Sequence, residues 1–228
     1  MQYLGGKSKI RKQVSAFLES VRKPDQTYFE PFVGGAWVLQ EMTGKRIASD
    51  SNRALICMYE ELQKGWIPPD SISEETYQEY KLNQIDTDPL TAFIGIGCSF
   101  GGKWFGGYAR SGKRNYCSNA KNSLLLQVPK LKGVDFNKLP YTWFEVENKL
   151  IYCDPPYENT TGYKDKFDHN LFWETMREWS KNNTVVISEY KAPDDFKCVL
   201  EILTKTDLRV NGAKEQRIEK LFMLKGTH

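Results

Sequence analysis

Hydrophobic residues in the first quarter of the chain switch between a helical and a strand-like spacing. The first helical stripe contains Ile10, Val14, Phe17, Leu18 and Val21. The elements predicted after it are a strand that runs into a glycine pair, a helix, a second strand and a second helix, over residues 28–32, 36–42, 46–49 and 53–63. Helices that alternate with short apolar strands predict a parallel sheet covered by helices.

This alternation is interrupted in the middle of the chain and returns towards its end. Residues 65–69 are rich in turn formers, and the segment from about 72 to 133 combines a polar helical stretch with glycines, asparagines and aromatic residues. The elements predicted beyond it are a strand, a helix and three β-prone segments, over residues 149–153, 171–181, 184–188, 198–204 and 220–224. The last two segments favour an antiparallel pair that closes the sheet.

The pattern therefore predicts one α/β domain that is interrupted by an insertion. We assign residues 1–64 and 134–228 to the α/β domain and residues 65–133 to the insertion. Hydrophobic residues make up 40% of the chain, which is enough for a real core and argues against a largely disordered protein.

The distribution of charge is more informative than the net charge of +3. Residues 89–134 contain no aspartate or glutamate. The basic residues in this stretch are Lys103, Arg110, Lys113, Arg114, Lys121, Lys130 and Lys132. A one-signed stretch of this length predicts a surface for a polyanion, and a solvated basic loop is the alternative.

The cysteine and histidine content argues against a metal centre. The five cysteines are scattered without a C-x-x-C pair, and the chain has only two histidines, so we expect no structural zinc site. Free thiols suit a reducing cytosol. The chain shows no signal-peptide pattern and no apolar segment of membrane-spanning length, and we therefore expect a cytoplasmic protein.

The strongest chemical motif is Asp154-Pro155-Pro156-Tyr157, which directly follows an apolar strand. The prolines remove two backbone donors and leave carbonyl groups free to accept. A carboxylate and a carbonyl could accept the two hydrogens of an exocyclic amine while the tyrosine ring stacks on its base. The nitrogen lone pair would then be free to attack an electrophilic methyl group. No second acid adjoins this motif before Glu158. The alternative is a strand-ending turn in which the aspartate only caps.

A second motif, residues 30–35, places Phe32 and Gly34 in a glycine loop between a strand and a predicted helix. Glycines let a cofactor approach the backbone closely, and Asp50 at the end of the next strand could bind ribose hydroxyls. The G-x-G-x-x-G pattern of diphosphate-binding loops is absent. The loop therefore predicts a nucleoside-like ligand without a diphosphate, or else an ordinary strand-to-helix turn.

A third motif lies at the start of the chain, where Tyr3 is followed by Leu4, two glycines and Lys7. A glycine pair followed by lysine could bind phosphate, but the spacing of a Walker motif is missing. A flexible surface segment is the alternative.

In this order, the three motifs resemble those of the Dam-like DNA adenine methylases. That family has a G-G-K opening, an F-x-G-x-G cofactor loop, a target-recognition insertion and then D-P-P-Y. The resemblance implies a Rossmann-like class I methyltransferase sheet with a small, mainly helical target-recognition insertion. One departure is Ala36, where the family pattern has its last glycine. Alanine is small, and we expect close packing at a helix start without loss of binding.

The resemblance also implies roles for individual residues. The residues that correspond to cofactor contacts are Tyr3, Lys7, Phe32, Gly34, Asp50 and Asp154, the cofactor being S-adenosyl-L-methionine. Those that correspond to the catalytic motif are Asp154, Pro155 and Tyr157. The candidate DNA contacts are Lys103, Arg110, Lys113, Arg114, Asn115 and Lys121, the last five from their charge or amide chemistry in the basic stretch.

The implied activity is methylation of the N6 amino group of an adenine flipped out of double-stranded DNA, with GATC as the expected site. We expect a phage-type or orphan enzyme without a metal, monomeric in solution, with a dimer on DNA left open. Serine in place of Asp154 would favour cytosine N4 as the target, and N-P-P-Y would favour RNA or a protein glutamine. A DNA-binding relative without catalysis is the alternative from another class.

The insertion also contains aromatic residues interleaved with glycines. These residues are Phe100, Trp104, Phe105 and Tyr108. Such rings could wedge between bases or could pack a small core, and the sequence leaves both open.

Overall fold

The computed structural model of the chain describes residues 1–112, 114–157, 167–210 and 213–226, and it describes side chains outside residues 205–217. Within these ranges, no helix has the length and apolar composition that crossing a membrane requires.

A single sheet forms the centre of the fold. Its strands are β1 (Thr27–Glu30), β2 (Arg46–Ser49), β3 (Val134–Asn137), β4 (Lys149–Cys153), β5 (Thr184–Glu189), β6 (Phe196–Val210) and β7 (Ala213–Leu224). The α-helices are α1 (Arg11–Val21), α2 (Arg53–Gln63), α3 (Glu74–Leu82), α4 (Pro89–Ala92), α5 (Tyr116–Leu131) and α6 (His169–Trp179).

The strands follow the order β3-β2-β1-β4-β5-β7-β6. Strands β1 to β5 are parallel to one another, whereas β7 is antiparallel to both β5 and β6. This confirms the predicted Rossmann-like α/β sheet and the antiparallel pair that closes it. The order reverses between β1 and β4, so the carboxyl ends of these two strands flank a crevice of the kind where open α/β folds bind ligands.

The predicted helix over residues 36–42 is wrong, because only a single 3-10 turn forms there, at Leu39–Glu41. Gly34 and Ala36 both adopt a positive φ, at 43° and 55°, and this conformation is incompatible with a right-handed helix. Ala36 therefore adopts a left-handed backbone conformation that favours glycine, and an alanine is strained there. Its side chain is fully buried, which fits the expected close packing.

Strand β3 was not predicted. It has the alternating burial of an edge strand, with Val134 and Phe136 facing the core and Asp135 exposed. Four residues of such alternation directly after a glycine are a weak signal.

The insertion is mainly helical, as expected, and comprises α3, α4 and α5. Helix α4 continues into a π-helical turn at Phe93–Gly97. The buried side chains of Tyr77, Phe93 and Leu124 belong to the same hydrophobic cluster as Leu55 on α2. The insertion therefore packs on the α/β domain through a shared core, while its exact boundaries stay a prediction.

Candidate active site

The three sequence motifs meet in one cavity of about 820 Å³ at the carboxyl edge of the sheet. Strands β1, β2 and β4 end there, directly before Pro31, Asp50 and Asp154. The predicted cofactor and catalytic residues that line this cavity are Tyr3, Lys7, Phe32, Gly34, Asp50, Asp154, Pro155 and Tyr157. Parallel strands bring these distant segments together because their carboxyl ends share an edge.

An ion pair joins the first motif to the last. The Lys7 Nζ atom donates to Asp154 Oδ1 at 2.7 Å and to the Gly5 carbonyl at 3.3 Å. It also lies 4.8 Å from the centre of the Tyr157 ring. The Lys7 side chain is only 8% exposed. Burial acts to lower the pKa of Lys7, but the Asp154 and Glu219 carboxylates outweigh it, so that its pKa is raised and the lysine is charged.

Asp154 itself experiences opposing influences. Burial raises the pKa of its carboxyl group, the charge of Lys7 acts to lower it, and the nearby Glu219 raises it again. The net shift is upward. Lys7 is therefore the residue that favours the ionised form of Asp154, in which a carboxylate can accept from an amine.

Glu219 on β7 is a functional candidate that sequence reasoning missed. Its Oε1 atom accepts from the hydroxyl groups of both Tyr157 and Ser188 and lies 3.6 Å from Lys7 Nζ. Glu219 is buried and lines the cavity. The sequence contained one signal that could have identified Glu219. It is an acid two positions before the core residue Leu221, so both side chains lie on the same face of a strand.

A third buried acid, Glu30, ends β1 and also lines the cavity. Tyr28 donates its hydroxyl hydrogen to Glu30 Oε2 at 2.7 Å. Burial raises the pKa of Glu30 to about 8, against the opposing effect of this hydrogen bond. Glu30 is therefore mostly neutral near pH 7, and the carboxyl groups that pair with Lys7 are those of Asp154 and Glu219.

The glycine loop is held in place by Asp50. Its Oδ2 atom accepts from the backbone N–H of Gly34 at 3.0 Å, and its Oδ1 atom accepts from that of Asn52 at 2.9 Å. The Tyr59 hydroxyl donates to the Gly34 carbonyl at 2.8 Å. Burial raises the pKa of Asp50, and the two backbone hydrogen bonds oppose it. Asp50 thus orders the loop while its remaining lone pairs can accept from a ligand.

The loop packs so tightly on the N-terminal motif that glycine is required. A Cβ atom on Gly34 would lie 2.9 Å from the Tyr3 ring, in addition to the strain of its positive φ. On the other side, the Phe32 ring contacts Tyr141 and Phe172, with centroids 5.1 and 5.9 Å apart. The cavity is therefore bounded by flat apolar faces and by a backbone that a ligand can approach closely.

The polar lining of the cavity fits a nucleoside-like ligand. Tyr152 lines it with a buried hydroxyl group that has no hydrogen-bond partner among the described residues, since the neighbouring Ser188 donates to Glu219. Asp50 and Asp154 supply carboxylates at its edges. Hydroxyl, amine and aromatic groups together match this lining, and the absence of a diphosphate-binding loop agrees with it.

The candidate DNA contacts lie in several environments. Arg110, Arg114 and Asn115 line a second cavity, of about 560 Å³, within the insertion. Lys103 and Arg114 are exposed. Lys113 lies outside the described residues.

The one-signed charge of this stretch is partly neutralised by acids from outside it. Arg110 pairs with Glu74, and Lys121 pairs with Asp70 at 3.0 Å and is only 17% exposed. Lys130 pairs with Glu41 at 3.2 Å. Asn115 also has a structural role, since its Oδ1 atom caps α5 by accepting from Ser118 N at 3.0 Å. Lys103 and Arg114 are therefore better placed to contact DNA than Arg110, Lys121 and Asn115.

Most of the insertion's aromatic residues pack internally. Phe105 is buried against Gly95 and Tyr77, and Trp104 packs edge-on against Phe105. Tyr108 donates its hydroxyl hydrogen to the Ile72 carbonyl. Phe100, in contrast, is 70% exposed. Internal packing therefore accounts for Trp104, Phe105 and Tyr108, and insertion between bases stays a prediction for Phe100.

The turn that carries Phe100 abuts the N-terminal motif. The backbone N–H of Leu4 donates to the Gly102 carbonyl at 3.1 Å. A Cβ atom on Gly102 would lie 2.6 Å from the Gln2 carbonyl oxygen, and its φ is 68°. The insertion therefore presents this exposed ring beside the segment that supplies Tyr3 and Lys7.

Comparison with known proteins agrees with this arrangement. Residues 3–89, which contain the first two motifs and Asp50, match the family model of D12 class N6 adenine-specific DNA methyltransferases. This match agrees with the resemblance inferred from the order of the motifs.

Among curated proteins, the chain is similar to the modification methylase StsI of Streptococcus sanguinis. The two are 27% identical over 198 residues, and the alignment covers 72% of this chain and 29% of the relative. The chain thus corresponds to under a third of that protein's length.

Proposed function

We propose that this chain transfers a methyl group from S-adenosyl-L-methionine to the N6 amino group of an adenine flipped out of double-stranded DNA. The observation that carries this proposal is the Lys7–Asp154 ion pair, which joins the N-terminal motif to D-P-P-Y inside one cavity. The match of residues 3–89 to the adenine-specific family supports adenine N6 as the target, and the aspartate at position 154 agrees with it.

The described residues suit this chemistry. The adenine amine is conjugated with its ring and weakly nucleophilic, so orientation has to supply much of the rate acceleration. Lys7 occupies Asp154 Oδ1, which leaves Oδ2 and a proline-motif carbonyl to accept the two amine hydrogens. The Tyr157 ring supplies a flat face for the base, and its tethered hydroxyl limits rotation of that ring.

When bound, the cofactor would supply a methyl group on a positively charged sulfur, and that sulfur would keep the electron pair of the broken C–S bond. Asp154 would hold the amine as its nitrogen attacks the methyl group and would take up the proton that the nitrogen then loses. Asp50, Tyr3 and the Gly34 loop would hold the nucleoside part of the cofactor, and Tyr152 would offer it a hydroxyl group.

The chemical identity of the product tests the proposed function. Purified protein is incubated with unmethylated DNA and cofactor, and the digested DNA is analysed by mass spectrometry. We expect N6-methyladenine and no N4-methylcytosine. Methylcytosine alone would establish the cytosine alternative, and the absence of any methylated nucleoside would favour a DNA-binding relative without catalysis.

We expect Asp50→Ala to weaken cofactor binding by about 1–3 kcal/mol, because it removes charge-assisted hydrogen bonds. Calorimetric titration with S-adenosyl-L-methionine measures the change. Asp50→Asn is the informative companion, since it keeps one acceptor for the Gly34 N–H but loses the charge. An unchanged dissociation constant in the alanine variant would place ribose recognition elsewhere.

The insertion is the candidate DNA interface, and residues 98–133 are proposed to choose the site. Each phosphate contact adds about 0.9 to the log–log slope of affinity against salt. Lys103→Gln should therefore flatten that slope by about one unit, whereas Lys121→Gln should leave it unchanged because Asp70 already neutralises Lys121. Arg114→Ala should relax the preference at one base pair, measured by sequencing methylated sites in DNA from a methylase-free host. Equal salt-dependence slopes for the Lys103 and Lys121 variants would contradict the assignment of the DNA interface to this insertion.

A further inference from the structure

We propose that Glu219 is a positioning residue of the methyl-transfer site. It anchors the Tyr157 ring through the tyrosine hydroxyl and gives the site its net negative charge. This inference rests on the proposed function. It adds a residue from the C-terminal hairpin, far along the chain from the motifs that identify the family.

The first support for this role of Glu219 is the set of contacts that its carboxylate makes. A single carboxylate oxygen of Glu219 accepts from Tyr157 on the catalytic motif and from Ser188 on β5. The same atom lies 3.6 Å from Lys7, on the other side of the site. A buried carboxylate is costly unless it is paired and hydrogen-bonded, and Glu219 meets both conditions only because it faces the site.

Charge supplies a second argument. Lys7 and Asp154 alone would form a neutral pair. Glu219 adds a second carboxylate beside the same ammonium, and the three groups together carry one net negative charge. A sulfonium is a cation, whereas the thioether left after methyl transfer is neutral. A net negative site therefore favours the methyl donor over the spent product.

Tyr157 connects this charge to the base. Its hydroxyl lies at 3.0 Å from Ser188 Oγ and is shared with Glu219, while its ring lines the cavity. The ring also packs edge-on against Tyr190, with centroids 4.8 Å apart. A stacking platform held at both its tip and its edge is preorganised, so that little ordering is needed when a base arrives.

The experiment compares Glu219→Gln with a matched control on the neighbouring strand. Glutamine keeps the size and one acceptor oxygen but removes the charge. The control is Glu201→Gln, which removes the same charge from an exposed ion pair with Lys220. Circular dichroism establishes that both variants fold. Calorimetry then gives the dissociation constants for S-adenosyl-L-methionine and S-adenosylhomocysteine, and single-turnover assays give the rate of methyl transfer.

We expect Glu219→Gln to lose about fivefold or more of its preference for the sulfonium over the thioether, with a single-turnover rate about tenfold or more below wild type. Glu201→Gln should match wild type in both. Tyr157→Phe keeps the ring and removes the tether, so its rate loss should be non-additive with that of Glu219→Gln.

A Glu219→Gln variant with wild-type preference and rate would overturn the role of Glu219 while leaving the proposed function intact. Additive losses in the double variant would overturn the tether through Tyr157. A wild-type protein that does not methylate adenine would overturn the proposed function, and this inference with it.

Discussion

Asp154→Ala is expected to abolish methyl transfer, lowering the single-turnover rate by about a thousandfold or more, while the protein stays folded. In the proposed mechanism the carboxylate holds the reacting amine, and loss of one preorganised electrostatic contact at a reacting centre typically costs about 10²–10³ in rate. The loss of orientation adds to this cost. Transfer of a radiolabelled methyl group to DNA measures the rate, and circular dichroism measures folding.

The control for this variant is Asp195→Ala, which removes an acid paired with Arg177 at the surface. Surface ion pairs contribute little, and we expect its rate to equal that of wild type. Near-normal turnover by Asp154→Ala would show that the amine is held by other groups and would remove Asp154 from the mechanism.

Lys7→Met is expected to shift the acidic limb of the pH–rate profile upwards by about 1–3 pH units. Asp154 has to be ionised to accept from the amine, so activity falls as the pH drops through its pKa. Burial already raises that pKa, and Lys7 opposes the rise. Without Lys7 the pKa of Asp154 rises further, and activity is lost at a higher pH. The rate should recover partly in alkaline buffer.

Single-turnover rates measured across the pH range with saturating cofactor test this expectation. Lys7→Arg keeps the charge beside Asp154 and should leave the acidic limb close to that of wild type. A Lys7→Met profile that superimposes on the wild-type profile after scaling would show that Lys7 does not control the ionisation of Asp154.

The sequence determined the elements whose signals are local. The strands over residues 46–49 and 149–153 and the helix over residues 53–63 have the predicted bounds to the residue. In each of them, the spacing of hydrophobic residues is a property of a few consecutive positions and can be read from the sequence. For the same reason, the sequence predicted that D-P-P-Y directly follows a buried strand and that Asp50 directly follows the strand over residues 46–49.

Prediction from the sequence failed where the backbone conformation or the burial of a side chain depended on tertiary packing. The apolar residues after Gly35 have the composition of a helix, but Gly34, which packs against Tyr3, and Ala36 both have a positive φ. The burial of Phe105 and the exposure of Phe100 likewise depend on which helices pack against them, since both residues belong to the same glycine-rich stretch.

The tertiary structure alone decided which charges meet. Lys7 lies 147 positions from Asp154 in the chain, and Glu219 reaches Tyr157 only because β7 lies beside β5. Acids from outside the basic stretch neutralise Arg110 and Lys121 in the same way. Electrostatic partners have no sequence period, because charges interact through space and strand order sets which ones are close. The sequence thus identified the motifs, and folding assembled the charge cluster that would use them.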